Sequence, residues 1–524
     1  MKCNYIKRLA FLVLPALLMP IASLAEEVEI NGVTYNVSGE TADVVKGNYH
    51  GSVVIPASVT YEDVTYSVTT ITKEAFSGQI AMTSISIPAS VTSIGESAFS
   101  GCTGLAAITV DAANPVYSSP SNCNAIVENA TAQLCYGCKN TVIPPIVTKI
   151  AKSAFYGQTG LTAIALPEGL TSIGEQAFYG CNNLAAITIP SSLNTIGKNA
   201  FDGCTGLLSV TIDNPNFVAT PRDPKNSFKT IFGSQVKNYA ISSATTTIGK
   251  YAFYGCTDMT SFEIPAAVTR IDTSAFSMCR GLTSIALPAG ITTVSKNLFY
   301  NCSSLTSIAI PAGVTEIESD AFNLCRKLTS VSIPDGVKTL GNSSFYGCSD
   351  LTTITIPASV DSIGNNAFAY CINLTAFDIP DAVKKIGSYT FYSCLKLNNI
   401  TIGSNVESIG SCAFSMCPSL TSITCNALTP PTLEDKAFDF DDIEGSVTLT
   451  IPEDAEELYR STDWNKFLPA PGATDDQGTG IASTELDAPQ ATEAYDISGR
   501  RQNGLKQGLN IVRMSDGTTK KLIK

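Results

Sequence analysis

Apolar positions along this chain recur every 23 residues. A representative unit runs Leu305-Thr306-Ser307-Ile308-Ala309-Ile310-Pro311, then Ala312-Gly313-Val314-Thr315-Glu316-Ile317, then Ala321-Phe322 and Cys325. Its first part alternates apolar and polar residues and is rich in β-branched side chains, which predicts a short strand. Pro311 closes that strand, because proline has no N–H to donate to a ladder. Equivalent prolines stand at 88, 167, 190, 265, 288, 334, 357 and 380. In most units an Ile-Gly step follows, as at Ile363-Gly364, where glycine suits a tight turn or a close backbone approach. The Ala-Phe piece predicts a turn of helix that drops Phe into a core.

Phenylalanine is the ruler of the repeat. Phe253, Phe276, Phe299, Phe322, Phe345, Phe368, Phe391 and Phe414 fall 23 residues apart, as do Phe76 and Phe99, and Phe155, Phe178 and Phe201; Phe438 comes one residue late. A fixed period of this length predicts a repeat solenoid: stacked 23-residue coils forming a parallel β-sheet, with short helical turns. Such a stack needs a cap at each end. Residues 26–70 supply the first and 441–470, with Val447 to Pro452 and Trp464, the second, around a solenoid at 71–440. Two gaps break the ruler, 56 residues from Phe99 to Phe155 and 52 from Phe201 to Phe253. Each contains Asn-Pro, at Asn114-Pro115 and Asn214-Pro215, and predicts enlarged coils near 111–149 and 212–247. Protruding loops on a solenoid often carry binding.

The consensus Leu-x-x-Ile-x-Ile-Pro-x-x-Val-x-x-Ile-Gly-x-x-Ala-Phe-x-Gly-Cys, in register over about residues 50–440, resembles the BspA-type, treponemal-style leucine-rich repeat of bacterial surface proteins. Asn122 to Ile126 and Phe232 to Val236 resemble that family's inserted coils. The resemblance implies a secreted or cell-surface leucine-rich repeat protein, and adhesion to host or bacterial surfaces is among the family's roles. A fold alone implies no function. After a linker at 471–480, residues 481–524 predict a small β-domain. It resembles the C-terminal sorting domains of Bacteroidetes secreted proteins; the competing reading is a plain β-cap.

The first 25 residues stand apart. Lys2, Lys7 and Arg8 precede an apolar run from Leu9 to Ile21, and Ser23-Leu24-Ala25 places small residues where a signal peptidase reads. This is the pattern of a secretory signal; a membrane anchor would need a longer run. Losing three basic residues leaves 30 basic against 46 acidic, a net of −16. That balance argues against nucleic acid and anionic membrane as partners.

Eleven of 17 cysteines share one repeat column, three residues after Phe, from Cys102 to Cys417. Export favours disulfides. Parallel side chains on coils about 4.8 Å apart do not converge as a disulfide requires, which favours buried thiols. Cys123 and Cys138 are candidates to pair across the first gap. Cys135-Tyr136-Gly137-Cys138 is a lone C-x-x-C without the context of a redox or zinc site. The single histidine, His50, has no nucleophile elbow to serve, and no phosphate loop appears, so no catalytic, cofactor or metal residues are assigned. The acids Asp439, Asp441, Asp442 and Glu444 lack calcium-loop spacing and read as a solvated loop.

From Phe253 onward the repeats alternate. Tyr254, Tyr300, Tyr346 and Tyr392 follow every second Phe, and the coils between carry Ser277-Met278, Asn323-Leu324, Ala369-Tyr370 and Ser415-Met416. One account is packing, large facing small in adjacent coils. The other is a binding stripe, since tyrosine gives wide contact area at low entropic cost. The stripe makes Tyr254, Tyr300, Tyr346 and Tyr392 the candidate ligand-binding residues. The partner is then a host matrix or mucin protein or glycan, or another bacterial surface. The alternative function is a structural surface protein with no specific ligand.

Overall fold

The computed structural model describes residues 25–439, 447–469, 491–495, 501–502, 509–514 and 519–523. The leader up to Leu24, the linker 471–480 and the acids Asp441, Asp442 and Glu444 lie outside the described residues. The chain is a succession of stacked coils in which three hydrogen-bonded ladders surround an apolar interior that divides at the first gap into two clusters.

The first ladder is built by the strand ahead of each proline. Ser307–Ala309 pairs parallel with Ser330–Ser332, so that Ile308 meets Val331 one period on. Ile308 is buried between exposed Ser307 and Ala309, the alternation that the sequence pattern requires. Ala376–Asp378, Asn399–Ile402, Ser422–Cys425 and Thr448–Thr450 continue it. Thr283, Thr306 and Thr329 reinforce it, each hydroxyl donating to the threonine carbonyl of the preceding coil at 3.1–3.2 Å. The second ladder is a seven-stranded parallel run of two-residue strands from Thr293–Val294 to Thr432–Leu433.

The third ladder corrects the expectation of a helical turn at Ala-Phe. Residues two before and two after the ruler Phe are left-handed: Asp320 and Leu324 around Phe322 have φ 60° and 61°, Ser343 and Gly347 around Phe345 have φ 54° and 67°. Left-handed residues on both sides of Phe interrupt any helix. They instead aim every second N–H along the stack. Asp320, Phe322 and Leu324 donate to the carbonyls of Asn342, Ser344 and Tyr346 in the next coil, at 2.7–2.9 Å. All such donors point the same way, toward the C-terminal end.

Inside, the ruler phenylalanines stack with centroids 4.8–6.0 Å apart and planes within 15°. The Ile-Gly glycines are explained by close approach: a Cβ on Gly174 would lie 2.5 Å from the Lys152 nitrogen, and one on Gly341 2.4 Å from that of Ser319.

At the N-terminal end, Glu26–Ile30, Val33–Ser38 and Thr41–Val44 pair antiparallel, and Thr41–Val44 then pairs parallel with Val64–Ile71, which hands over to the stack. At the other end Trp464 and Phe467 lie edge-on over Phe438, at 5.8 and 5.2 Å. Trp464 donates Nε1–H to the Pro431 carbonyl at 2.8 Å. In the first gap Ala125–Glu128 runs antiparallel to both Tyr117–Ser118 and Gln133–Gly137. The second gap holds two short helices, Pro215–Ala219 and Phe228–Phe232. Residues Ala491–Tyr495, Arg501–Gln502, Leu509–Met514 and Thr519–Ile523 form a four-stranded antiparallel sheet.

Candidate functional site

The four candidate tyrosines sit on the outer side of the third ladder, directly after the ruler Phe, and all four are half-buried. They are not isolated. The residue two after Phe in the intervening coil, Met278, Leu324, Tyr370 or Met416, is left-handed, with φ between 57° and 64°. A large side chain in that conformation leans over the next coil. A Cβ on Gly347 would lie 2.9 Å from Leu324 Cδ2, so a larger residue there would press on the leaning Leu324 side chain. Asn301 faces Met278 in the same way, its Nδ2 3.2 Å from Met278 Sδ. The neighbouring tyrosine then closes against the leaning side chain. Tyr346 and Tyr370 have ring centroids 5.1 Å apart, Tyr370 and Tyr392 5.6 Å, and the Tyr392 hydroxyl reaches Met416 Sδ at 3.1 Å.

Along this ridge, the stripe expected from the sequence, Met278, Leu324, Tyr370 and Met416 interleave with the tyrosines, and side-chain contact runs unbroken from Tyr346 to Met416. Tyr370 is 40% exposed and Met416 50%, more than the tyrosines themselves. Packing and exposure are both met: each residue buries one flank and offers the other. Arg280, whose guanidinium lies 3.9 Å from Met278 Sδ, and exposed Arg326 and Lys327 border the ridge. The four leaning residues were visible as sequence, but their role depends on a left-handed backbone that no residue-type signal announced.

The cysteine column is made of free thiols. Each column sulfur in the regular stack donates to the carbonyl of the ruler Phe one coil earlier, as Cys325 to Phe299 and Cys371 to Phe345, at 3.1 and 3.2 Å. Burial pushes both thiols up to about 12. Cys123 and Cys138 are unpaired as well; their thiols donate to the carbonyls of Ala125 and Asn124. His50 is exposed. Among the described residues no group of three or more His, Cys, Asp or Glu gathers around a point that a metal ion could occupy.

The Asn-Pro signals mark anchors. Asn114 donates Nδ2–H to the carbonyls of Pro88 and Val91 and accepts from the N–H groups of Val116 and Tyr117. Asn214 donates to the Leu193 carbonyl and caps the helix Pro215–Ala219 through the N–H groups of Asn216 and Phe217. Beyond that helix Arg222 lies between the rings of Phe217 and Phe228, 4.4 and 4.5 Å from their centroids, and pins the protruding loop.

A sequence profile described as the BspA type leucine rich repeat region, in six copies, matches residues 57–132, 124–220, 224–352 and 338–462. No curated protein matches the chain. The crystal structure of a leucine-rich repeat protein from Bacteroides ovatus is 28% identical, with a TM-score of 0.52, over 81% of this chain and 100% of that one. A leucine rich cell surface protein from Faecalibacterium prausnitzii is 26% identical, with a TM-score of 0.31, over 76% of this chain and 94% of that one.

Proposed function

Because this chain belongs to the BspA-type leucine-rich repeat family, we propose that it is an exported surface protein that binds a protein or glycan partner through the aromatic ridge. The observation that carries this reading is the ridge's composition. Left-handed backbone costs an ordinary side chain about 1 kcal/mol relative to glycine. The first half of the stack uses glycine at that position, as at Gly157, Gly180 and Gly203. Placing Met, Leu and Tyr there instead raises an apolar, half-exposed surface against that cost. Tyrosine and methionine combine wide contact area with adaptable shape, the chemistry of a protein- or glycan-facing patch. The apolar leader pattern and the scarcity of basic residues support export and argue against nucleic acid.

The test is binding of the mature chain to immobilised mucin, fibronectin and fibrinogen. Changing Tyr254, Tyr300, Tyr346 and Tyr392 together to Ser is expected to weaken saturable binding at least about tenfold, the loss of a modest hot spot, while circular dichroism stays native. Binding that survives in the folded variant moves the site off the ridge. Absence of binding to any surface favours a structural role.

A further inference from the structure

The third ladder is complete in the coils of Phe155 and Phe178 and breaks at Phe201. In those coils the N–H groups of Ser153, Phe155 and Gly157, and of Gln176, Phe178 and Gly180, all donate to the following coil. The equivalent N–H groups of Asn199, Phe201 and Gly203 have no acceptor among the described residues. The intervening N–H groups, of Ala200, Asp202 and Cys204, are bonded within their own coil, so the local backbone keeps the turn of the regular coils. Asn199 and Gly203 have φ 55° and 74°.

The cause is the second gap. Where the next coil should present carbonyls, the chain forms the helix Phe228–Phe232, and the helix directs its carbonyls along its own axis. The ladder resumes from the helix's own first residue, the Phe228 N–H donating to the Ala252 carbonyl at 2.8 Å. Between the broken edge and the helix lies a cleft of about 420 Å³. Asn199, Phe201, Gly203, Thr205, Lys229 and Gln235 line it, with Asp202 on the same wall. Gln235 ties its two walls together, donating Nε2–H to the carbonyls of Cys204 and Phe232, both at 2.9 Å. Lys229 makes no ion pair among the described residues. At the first gap the break is partial: the N–H groups of Ser97 and Phe99 also have no acceptor among the described residues, but Gly101 still donates to Tyr156, and the Tyr136 ring packs on Phe99 at 5.2 Å.

We propose that this cleft binds the carboxylate group of a small ligand, with the N–H groups of Asn199, Phe201 and Gly203 and the Lys229 ammonium receiving its oxygens. Main-chain N–H groups that have lost their carbonyl acceptors are left to donate to other oxygens, and an ammonium lining the same cleft adds a charge-assisted bond. One ammonium offset by the Asp202 carboxylate suits a monoanion better than a phosphate dianion. The cleft volume is that of a single sugar or a short peptide end, so a sugar acid and a peptide C-terminus share the required chemistry. The site is separate from the aromatic ridge and does not depend on it.

The experiment is calorimetric titration of the mature chain with glucuronate and with N-acetyl-glycylglycine, alongside glucose and the amide of the same peptide. Carboxylate-dependent binding is expected, and whichever acid binds tighter identifies the source. Lys229→Met should weaken binding about tenfold and Asp202→Asn should tighten it about threefold, as expected for one charge gained or lost near a partly exposed site. With 15N-glycine labelling, the Gly203 amide resonance should move on titration while that of Gly180, whose N–H is bonded to the Asp202 carbonyl, stays. Gly203→Asn, which keeps a left-handed residue and its N–H, identifies that resonance. Equal binding of the neutral analogues, an unmoved Gly203 resonance, or no binding of either acid overturns the proposal. The tyrosine-to-serine ridge variant should bind the acids unchanged, which keeps this outcome distinct from that of the ridge.

Discussion

At the scale of the residue, the cysteine column shows how one side chain answers two demands. The ruler Phe carbonyl faces inward, where an unpaired acceptor is costly, and it already receives one N–H from its own coil. A thiol is small and apolar enough for the core yet can donate weakly to that oxygen. Free, buried thiols were legible from the repeat spacing; their carbonyl partner was not, because it depends on the left-handed turn. The thiols of Cys102, Cys325, Cys371 and Cys417, pushed up to about 12 by burial from an ordinary 9.0, carry a pH signature. Below pH 9 folded and unfolded chains both hold these protons and the full stability is present. Between about 9 and 12 the unfolded chain releases protons that the folded chain retains, so stability falls as pH rises. Denaturant midpoints at neutral pH and above pH 9 should show that decline, and replacing the four cysteines by Ser should flatten it. Thiol labelling with dithiobis-nitrobenzoate should reach partly exposed Cys412 first and the column only on unfolding.

At the scale of the element, the 23-residue coil reads clearly in its strand, proline and Phe positions, since period-2 alternation and proline chemistry are local. The Ala-Phe turn was misread as helical because its hand is decided by pairing with the next coil, not by residue preference: Tyr251, Asp320, Tyr389 and Cys412 all occupy the left-handed position before Phe. The Ile-Gly step left turn and close approach both open, and contact with the preceding coil decides for the latter. Gly174→Ala should therefore destabilise by about 1–3 kcal/mol, since the new methyl would press on the Lys152 backbone rather than on a movable side chain. Thermal unfolding of that variant, compared with Ala at exposed Gly169, which is not left-handed and whose Cβ would come no nearer than 3.5 Å to the Pro145 carbonyl, separates steric pressure from loss of glycine freedom. The carboxylate cleft was foreshadowed only by a 52-residue gap. A missing acceptor row has no sequence motif.

At the scale of the whole molecule, the third ladder gives the stack a direction. Its N–H groups all face the C-terminal end, and at the last regular coil Asp439 accepts from the Met416 N–H at 2.5 Å, a carboxylate set where the aligned donors emerge. Each coil meets only its neighbours, so coils could in principle be added or lost one at a time. The ridge opposes it. Removing residues 335–357 would bring Leu324 directly beneath Tyr370, two leaning side chains where the intact stack alternates large with small. Removing 335–380 would instead restore Leu324 against a small residue, Ser393, with Tyr392 beside it. The shorter deletion should unfold at a lower temperature than the longer one, against the usual loss of stability with repeat number. Recombination within such a gene is thus quantised: length variants of this surface should differ by even numbers of coils, and a lineage with an odd change should carry a compensating glycine at the seam.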